Sequence, residues 1–260
     1  MNEHTVKSFT EQLETLAGGV AQMGGLAETQ LANAIEAIAK RDSRLAETAV
    51  STDQRVDGLQ HEVEHQALKL LALRQPLAVD LRTTLAAIKI ANELERIGDL
   101  AVNLAQRVIT LREMPGAQLP DELAPMAAAV RAMVSKSLGA LIFRNADMAA
   151  LVLESDDVVD KYRDTIFEKL MENMTQQASL VSSGMQFVLA TRHLERIADH
   201  ATNIAEDIIF WVRGLDVRHG RGLVVSSEMQ ASDTEEVVRI TDNSHPLHPA
   251  VKVIGDTQPA

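Results

Sequence analysis

Cysteine is absent from the chain, and aromatic residues are scarce: one Trp, one Tyr and five Phe in 260 residues. Without cysteine there is no disulfide scaffold, no thiolate metal site and no thiol nucleophile. The same absence agrees with a reducing compartment. Few aromatics argue against an all-β sandwich or barrel, whose strands draw on aromatic and β-branched residues. Positive charge is also in deficit, 25 Lys and Arg against 37 Asp and Glu, for a net −12 at pH 7. Repulsion from a phosphate backbone and the lack of stacking platforms exclude nucleic acid as the expected partner. No uninterrupted apolar stretch reaches the roughly 18–20 residues of a spanning helix. The start, Met1 to Lys7, lacks the basic-then-apolar order of a signal peptide. A soluble protein without direct membrane insertion is expected.

What the chain does have is helical period. Leu94, Ile97, Ala101, Leu104 and Val108 recur in steps of three and four, the seam of a helix packed in a bundle. Alanine is plentiful, which favours helix. Breaks fall at Lys40-Arg41-Asp42-Ser43, Arg74-Gln75-Pro76, Met114-Pro115-Gly116, Pro120-Asp121 and Arg144-Asn145-Ala146-Asp147. Others lie around Gln176–Ser182 and at Arg213-Gly214, where glycine reads as a helix stop. Six helices follow, near 5–40, 43–73, 77–113, 121–144, 147–173 and 180–213.

The organising feature is an internal repeat. Asn92-Glu93-Leu94-Glu95-Arg96-Ile97-Gly98-Asp99 is answered 100 positions later by Arg192-His193-Leu194-Glu195-Arg196-Ile197-Ala198-Asp199. The match continues as Ala101/Ala201, Asn103/Asn203 and Ala105/Ala205. Upstream the offset is 103, through Met23/Met126, Arg41/Arg144, Asp53/Asp156, Val56/Val159 and Asp57/Asp160. Repeat 1 therefore carries three extra residues, placed most simply in the Pro76 loop. The expected fold is all-α, two tandem three-helix bundles over 5–113 and 117–213. Beyond Gly214 the period lapses. Residues 226–260 hold six acidic and two basic side chains with three prolines, and read as a mobile acidic tail.

Each repeat holds two acidic pairs at i, i+4: Asp53/Asp57 and Glu95/Asp99, then Asp156/Asp160 and Glu195/Asp199. Like charges four apart share a helix face and cost about 0.2–0.5 kcal/mol unless a cation lies between them. If the second and third helices of each unit pack side by side, the pairs converge into four carboxylates, with Asn103 or Asn203 adding an amide oxygen. Oxygen-only donor sets suit hard cations such as magnesium, manganese or iron. The plainer alternative is a solvated face on which Arg96 and Arg196 pair the carboxylates internally.

His61-Glu62-Val63-Glu64-His65 satisfies H-E-x-x-H, a spacing able to hold zinc with the Glu activating water. A metal-dependent hydrolase built on it is one alternative function. However, Val56, Leu59, Val63 and Leu70 mark the buried side of this helix, and at about 100° per residue both histidines point away from it. The counterparts in repeat 2 are Asp164 and Glu168. His193 and His200 flank the second acidic pair; His200 could serve as a ligand, but its repeat-1 equivalent is Leu100, and a surface role is the expected one. Glycine-rich phosphate loops and nucleophile elbows are missing. A purely structural helical module is the other alternative.

The two LERI-containing segments, Leu94–Ala101 and Leu194–Ala201, together with the Asp-x-x-x-Asp pairs, resemble the PhoU family of phosphate-signalling proteins. Met23-Gly24-Gly25, Arg41-Asp42 and Pro76-Leu77-Ala78-Val79-Asp80-Leu81-Arg82 are similar too, and the likeness spans about residues 5–220. The resemblance implies two similar three-helix bundles and multinuclear metal clusters on the E/D-x-x-x-D motifs, with iron, manganese, magnesium or zinc as the divalent or trivalent ion. It implies a cytoplasmic, often homodimeric, negative regulator of phosphate uptake and of the phosphate-starvation response. Such a protein acts between the ATPase of a phosphate ABC transporter and a sensor histidine kinase at the inner face of the membrane. No covalent chemistry is expected. Ala198, where the family motif has glycine, is a small-for-small departure.

Overall fold

The computed structural model describes residues 3–114, 118–218 and 223–224. Seven α-helices lie in this part: α1 (Glu3–Lys40), α2 (Ser43–Arg74), α3 (Ala78–Arg112), α4 (Leu123–Phe143), α5 (Ala146–Leu153), α6 (Asp156–Gln176) and α7 (Val181–Arg213). Helices α1, α2 and α3 pack on one another, and α4, α5 and α6 pack on α7. The fold is all-α in two related helical sets. Two-residue strands, β1 (Leu215–Asp216) and β2 (Leu223–Val224), pair antiparallel after α7. The proposed tail, 226–260, lies outside the described residues.

One expected element differs. The helix foreseen over 147–173 is two, α5 and α6, separated at Glu154-Ser155. There the chain tightens into a 3-10 turn, with Ser155 N–H donating to Val152 O at 3.0 Å and Val158 N–H to Ser155 O at 3.3 Å. Both residues keep right-handed φ and ψ, so the axis is interrupted without a change of direction in the backbone class.

The punctuation residues act as their chemistry dictates. Arg41 and Arg144, equivalent in the two repeats, both take left-handed φ, 53° and 49°. Each is followed by an Asx cap: Asp42 accepts from Arg44 N–H, and Asn145 accepts from Asp147 and Met148 N–H. Gly214 closes α7 at φ 69°. The Pro76 turn, Gln75-Pro76-Leu77, joins α2 to α3, whereas in repeat 2 a 3-10 turn at Ala178–Leu180 leads into α7.

The seam residues Leu94, Ile97, Ala101 and Leu104 are completely buried, as are Leu194, Ile197, Ala201, Ile204 and Ile208. Each large aliphatic side chain among them contributes about 1.5–3 kcal/mol of burial. Among the described residues α4 is the one helix long and apolar enough to span a membrane, although Arg131 and Lys136 interrupt it. Its Met126, Val130, Met133 and Val134 are buried in the bundle.

The most extensive helix pair is α3 with α7. Its cross-links run Thr83 to Trp211, Lys89 to Asp207, Glu93 to Asn203 and Arg107 to Gln186. Rising numbers on one helix meet falling numbers on the other, so the two are antiparallel. An approximate twofold exchanging the repeats passes between them. Positions on α3 therefore have counterparts 100 residues later on α7.

Candidate functional site

Helices α2 and α3 bring Asp53, Asp57, Glu95 and Asp99 together. Burial and then the charges of Asp53 and Asp99 raise the Asp57 carboxyl above its ordinary pKa, with His61 opposing weakly. Glu95 is raised by burial and by Asp99, against the pull of Arg96, with Asp57 and Asp53 adding to the rise. In repeat 2 the same logic joins α6 to α7. Asp156 is raised by burial, Asp160, Asp157 and Glu195, and Asp199 by burial, Glu195 and Asp156. Four carboxylates per repeat thus feel one another, the convergence expected from the i, i+4 pairs.

The two clusters are neutralised differently. In repeat 1 Arg96 lies loosely on the rim, its Nε 3.5 Å from Glu95 Oε2 and its Nη1 3.7 Å from Asp99 Oδ2, with 60% of the side chain exposed. In repeat 2 the equivalent Arg196 makes no such pair. Arg163 takes its place from α6: Nη1 donates to Asp160 Oδ1 at 2.6 Å and Glu195 Oε1 at 3.2 Å, and the guanidinium also pairs Asp164 at 2.9 Å. The residue equivalent to Arg163 in repeat 1 is Gln60, which donates instead to Asn92 Oδ1 at 2.8 Å.

Beneath the first cluster sits a polar residue with no counterpart in the second. Gln30 is completely buried; its Nε2 donates to Asp53 Oδ1 at 3.0 Å and Ala49 O at 3.1 Å, while its Oε1 has no partner. Gly98 makes room for it, since a Cβ there would stand 3.0 Å from Gln30 Oε1. In repeat 2 the equivalent positions are Met133 and Ala198, both buried.

Among the described residues no three His, Asp or Glu side chains are already close enough to hold one ion. The donor set still fits a hard cation: it is oxygen-only, partly desolvated and mutually repulsive, and in repeat 1 no basic side chain fills it. Asp53, Asp57, Glu95 and Asp99 could close on a cation by side-chain rotation. Asp156, Asp160, Glu195 and Asp199 would first have to release Arg163.

The asparagines part company with their expected neighbours. Asn203 donates its amide to Glu93 Oε2 at 3.0 Å across the α3–α7 seam. The Asn103 backbone carbonyl accepts from Arg107 Nε at 3.4 Å. His200 is not a surface residue: its Nδ1 stands 2.7 Å from Glu93 Oε2, and only 17% of the side chain is exposed. His193 is half-buried, with an Nδ1 that is buried and unpartnered. Burial and then Arg107, Arg196 and Arg192 push its imidazole below the ordinary pKa. His61, Glu62 and His65 are exposed on α2, on the outward side that the helical wheel gives them.

Sequence reasoning missed Gln30, Glu93, Arg163, Lys89 and Asp207. Arg163 was accessible in principle, three residues after Asp160 and replacing Gln60 in the aligned repeat. Glu93 and Asp207 carried a subtler signal, since their repeat counterparts are His193 and Arg107.

A family model described as the PhoU domain matches residues 20–108 and 123–208. A phosphate-specific transport system accessory protein PhoU homologue of Caulobacter vibrioides is 41% identical over 222 residues, 85% of this chain and 96% of its own. The homologue from Clostridium acetobutylicum is 36% identical over 214 residues, 82% of this chain and 98% of its own. The crystal structure of PhoU from Pseudomonas aeruginosa superposes with a TM-score of 0.77 at 35% identity, covering 79% of this chain and 99% of that one. The phosphate transport system regulatory protein PhoU from Streptococcus pneumoniae gives 0.74 at 26% identity, over 80% and 99%.

Proposed function

The chain belongs to the PhoU family, and on that premise we propose that it is a regulatory accessory protein of a phosphate-specific transport system. In this reading it is a metal-binding adaptor in the cytoplasm that restrains phosphate uptake and the phosphate-starvation response. Its partners are the ATPase of a phosphate ABC transporter and a sensor histidine kinase, and it works as a homodimer without catalysing a reaction. The observation that supports the metal reading is the duplicated set of four converging carboxylates, one set per repeat, in which burial and acidic neighbours raise Asp57 and Glu95 in the first and Asp156 and Asp199 in the second.

The residues that hold the ion are Asp53, Asp57, Glu95 and Asp99 in repeat 1, and Asp156, Asp160, Glu195 and Asp199 in repeat 2. A bound cation supplies charge neutralisation, and the chain's own part is to lock α2 against α3 and α6 against α7. That stiffens the faces presented to partners. Apolar side chains available for docking include Ile142 and Phe143 at the end of α4, 63% and 73% exposed. Arg96 acts as a rim counter-charge in the absence of metal.

The test is metal content per chain by elemental mass spectrometry on untagged protein, for wild type, Asp99→Asn/Asp199→Asn and His61→Ala. Several equivalents of a hard ion, lost in the Asp variant and kept in the His variant, support the reading. A single zinc lost only with His61 overturns it in favour of a hydrolase. Partner affinity is then compared with and without metal, and equal affinity removes the stiffening role.

A further inference from the structure

The twofold relating the repeats carries one conspicuous inversion of charge. On one half of the α3–α7 seam stand Glu93 and Asp207. Their repeat counterparts on the other half are His193 and Arg107. The acidic half is answered within the fold: Glu93 receives His200 at 2.7 Å and Asn203 at 3.0 Å, and Asp207 receives Lys89 Nζ at 3.1 Å.

The basic half is left unanswered. The counterparts of His200 and Lys89 are Leu100 and Leu189, and among the described residues no acid pairs with Arg107 or His193. Arg107 is nonetheless held in position, with Nη1 donating to Gln186 Oε1 at 3.1 Å and Nε to Asn103 O at 3.4 Å, both neutral partners. Gln186 and His193 lie seven residues apart, on the same face of α7. Arg192 and Arg196 sit four apart on α7, and His193 and Arg196 three apart, so Arg196 neighbours both on the helix surface, while Arg192 also borders the α6–α7 groove beside Asp164. Arg192 and Arg196 are exposed, and among the described residues neither they nor Arg107 form an ion pair. Glu195, on the same turn, is already taken by Arg163. That substitution frees Arg196, whose counterpart Arg96 is occupied by Glu95 and Asp99. His193 Nδ1 is buried with no partner.

We propose that Arg107, Arg192, Arg196 and His193 form a binding site for a phosphate-class oxyanion at the basic half of the α3–α7 seam. Three guanidiniums offer planar forks of N–H donors that match tetrahedral oxyanions, and none of the three is committed to an ion pair among the described residues. Bound there, the anion supplies what Glu93 and Asp207 receive from their own partners on the other half, a set of charges closing the seam between repeats. The site adjoins the second carboxylate cluster but shares no residue with it, and it does not require the clusters to hold metal. Free phosphate and the phosphate groups of a nucleotide share this chemistry.

The experiment is calorimetric titration of the full chain with inorganic phosphate and, separately, with ATP. Ionic strength is balanced with chloride, and each titration is run with and without a chelator. Arg192→Gln/Arg196→Gln is the main variant, since both side chains are at the surface and their loss does not threaten the core. Arg107→Gln is the second, and Arg131→Gln on α4 is the control. The expected result is saturable phosphate binding that survives the chelator, weakens by about tenfold or more in either site variant, and is unchanged in the control. Saturation by ATP alone, with the same loss in the variants, keeps the site and assigns it to a nucleotide. Absence of saturable binding by either ligand overturns the proposal. So does binding that persists in both site variants, or that the chelator alone removes, the latter assigning the anion to the metal clusters.

Discussion

The Glu93 carboxylate on α3 and His200 Nδ1 on α7 stand 2.7 Å apart, joining the two repeats through a bond that the twofold does not duplicate. A carboxylate only accepts, so Nδ1 carries the proton and donates. Burial raises the Glu93 carboxyl, but bonds from His200 and Asn203 and the charges of His200 and Arg96 outweigh it and bring the pKa below its ordinary value. Its stabilising share is therefore complete above the ordinary carboxylate range and fades as pH falls through the lowered value. Glu93→Gln is expected to lower stability at pH 7 by about 1 kcal/mol, with a smaller difference from wild type near pH 3. Urea denaturation at the two pH values checks both the size and the sign.

Arg163 bridges the second carboxylate cluster, bonding both Asp160 and Glu195. Replacing it by glutamine, the residue at the equivalent Gln60, makes the second cluster resemble the first. Arg163→Gln is expected to raise divalent-cation affinity at repeat 2 and to increase the stabilisation gained on adding metal. Thermal denaturation against manganese concentration reads the shift. An unchanged curve would show that the arginine does not compete with a cation.

Burial and then the charges of Asp53 and Asp99 raise the Asp57 carboxyl above its ordinary pKa, as burial and Asp99 raise that of Glu95. The native state holds such protons more tightly than the unfolded chain. Their contribution is therefore largest below the ordinary carboxylate value and is lost as pH rises through the raised one. At pH 7 without metal the ionised cluster is a cost. Asp57→Asn is expected to stabilise the metal-free chain by about 0.3 kcal/mol and to abolish the metal-dependent gain of repeat 1. Melting curves with and without chelator, at pH 5 and pH 7, separate the two effects.

Gly98 and Gln30 are coupled by space: a Cβ on Gly98 would press to 3.0 Å from Gln30 Oε1. Gln30 cannot swing away, being completely buried and bonded to Asp53 and Ala49. Gly98→Ala is expected to cost about 1 kcal/mol despite the better helix propensity of alanine. Gln30→Met/Gly98→Ala copies the Met133/Ala198 pair of repeat 2 and is expected to recover most of the loss. A double-mutant cycle in urea measures the coupling.

Much of this protein was legible before folding. Alternating steps of three and four from Leu94 to Val108 define a buried stripe, because a helix turns by a fixed angle per residue, and those positions are buried as read. Arg41-Asp42 and Arg144-Asn145 were legible as helix breaks, while the left-handed φ of each arginine and the Asx cap after it came with the structure. The carboxylate pairs were visible for the same reason, since i and i+4 share a face in any α-helix. Even the outward aspect of His61 and His65 followed from the wheel.

Tertiary structure alone decided what lies across from each face. Arg163 entering the second cluster, Gln30 under the first, and Glu93 reaching His200 and Asn203 are contacts between helices 23 to 110 residues apart in sequence. Helical period fixes which residues share a stripe, but the register of α3 against α7 is set by how whole side-chain surfaces interdigitate. The duplication made core and carboxylate positions alike in both repeats. Only the antiparallel docking of α3 and α7 set Glu93 against His200 and Asn203 and Asp207 against Lys89, while among the described residues it paired no acid with Arg107 or His193.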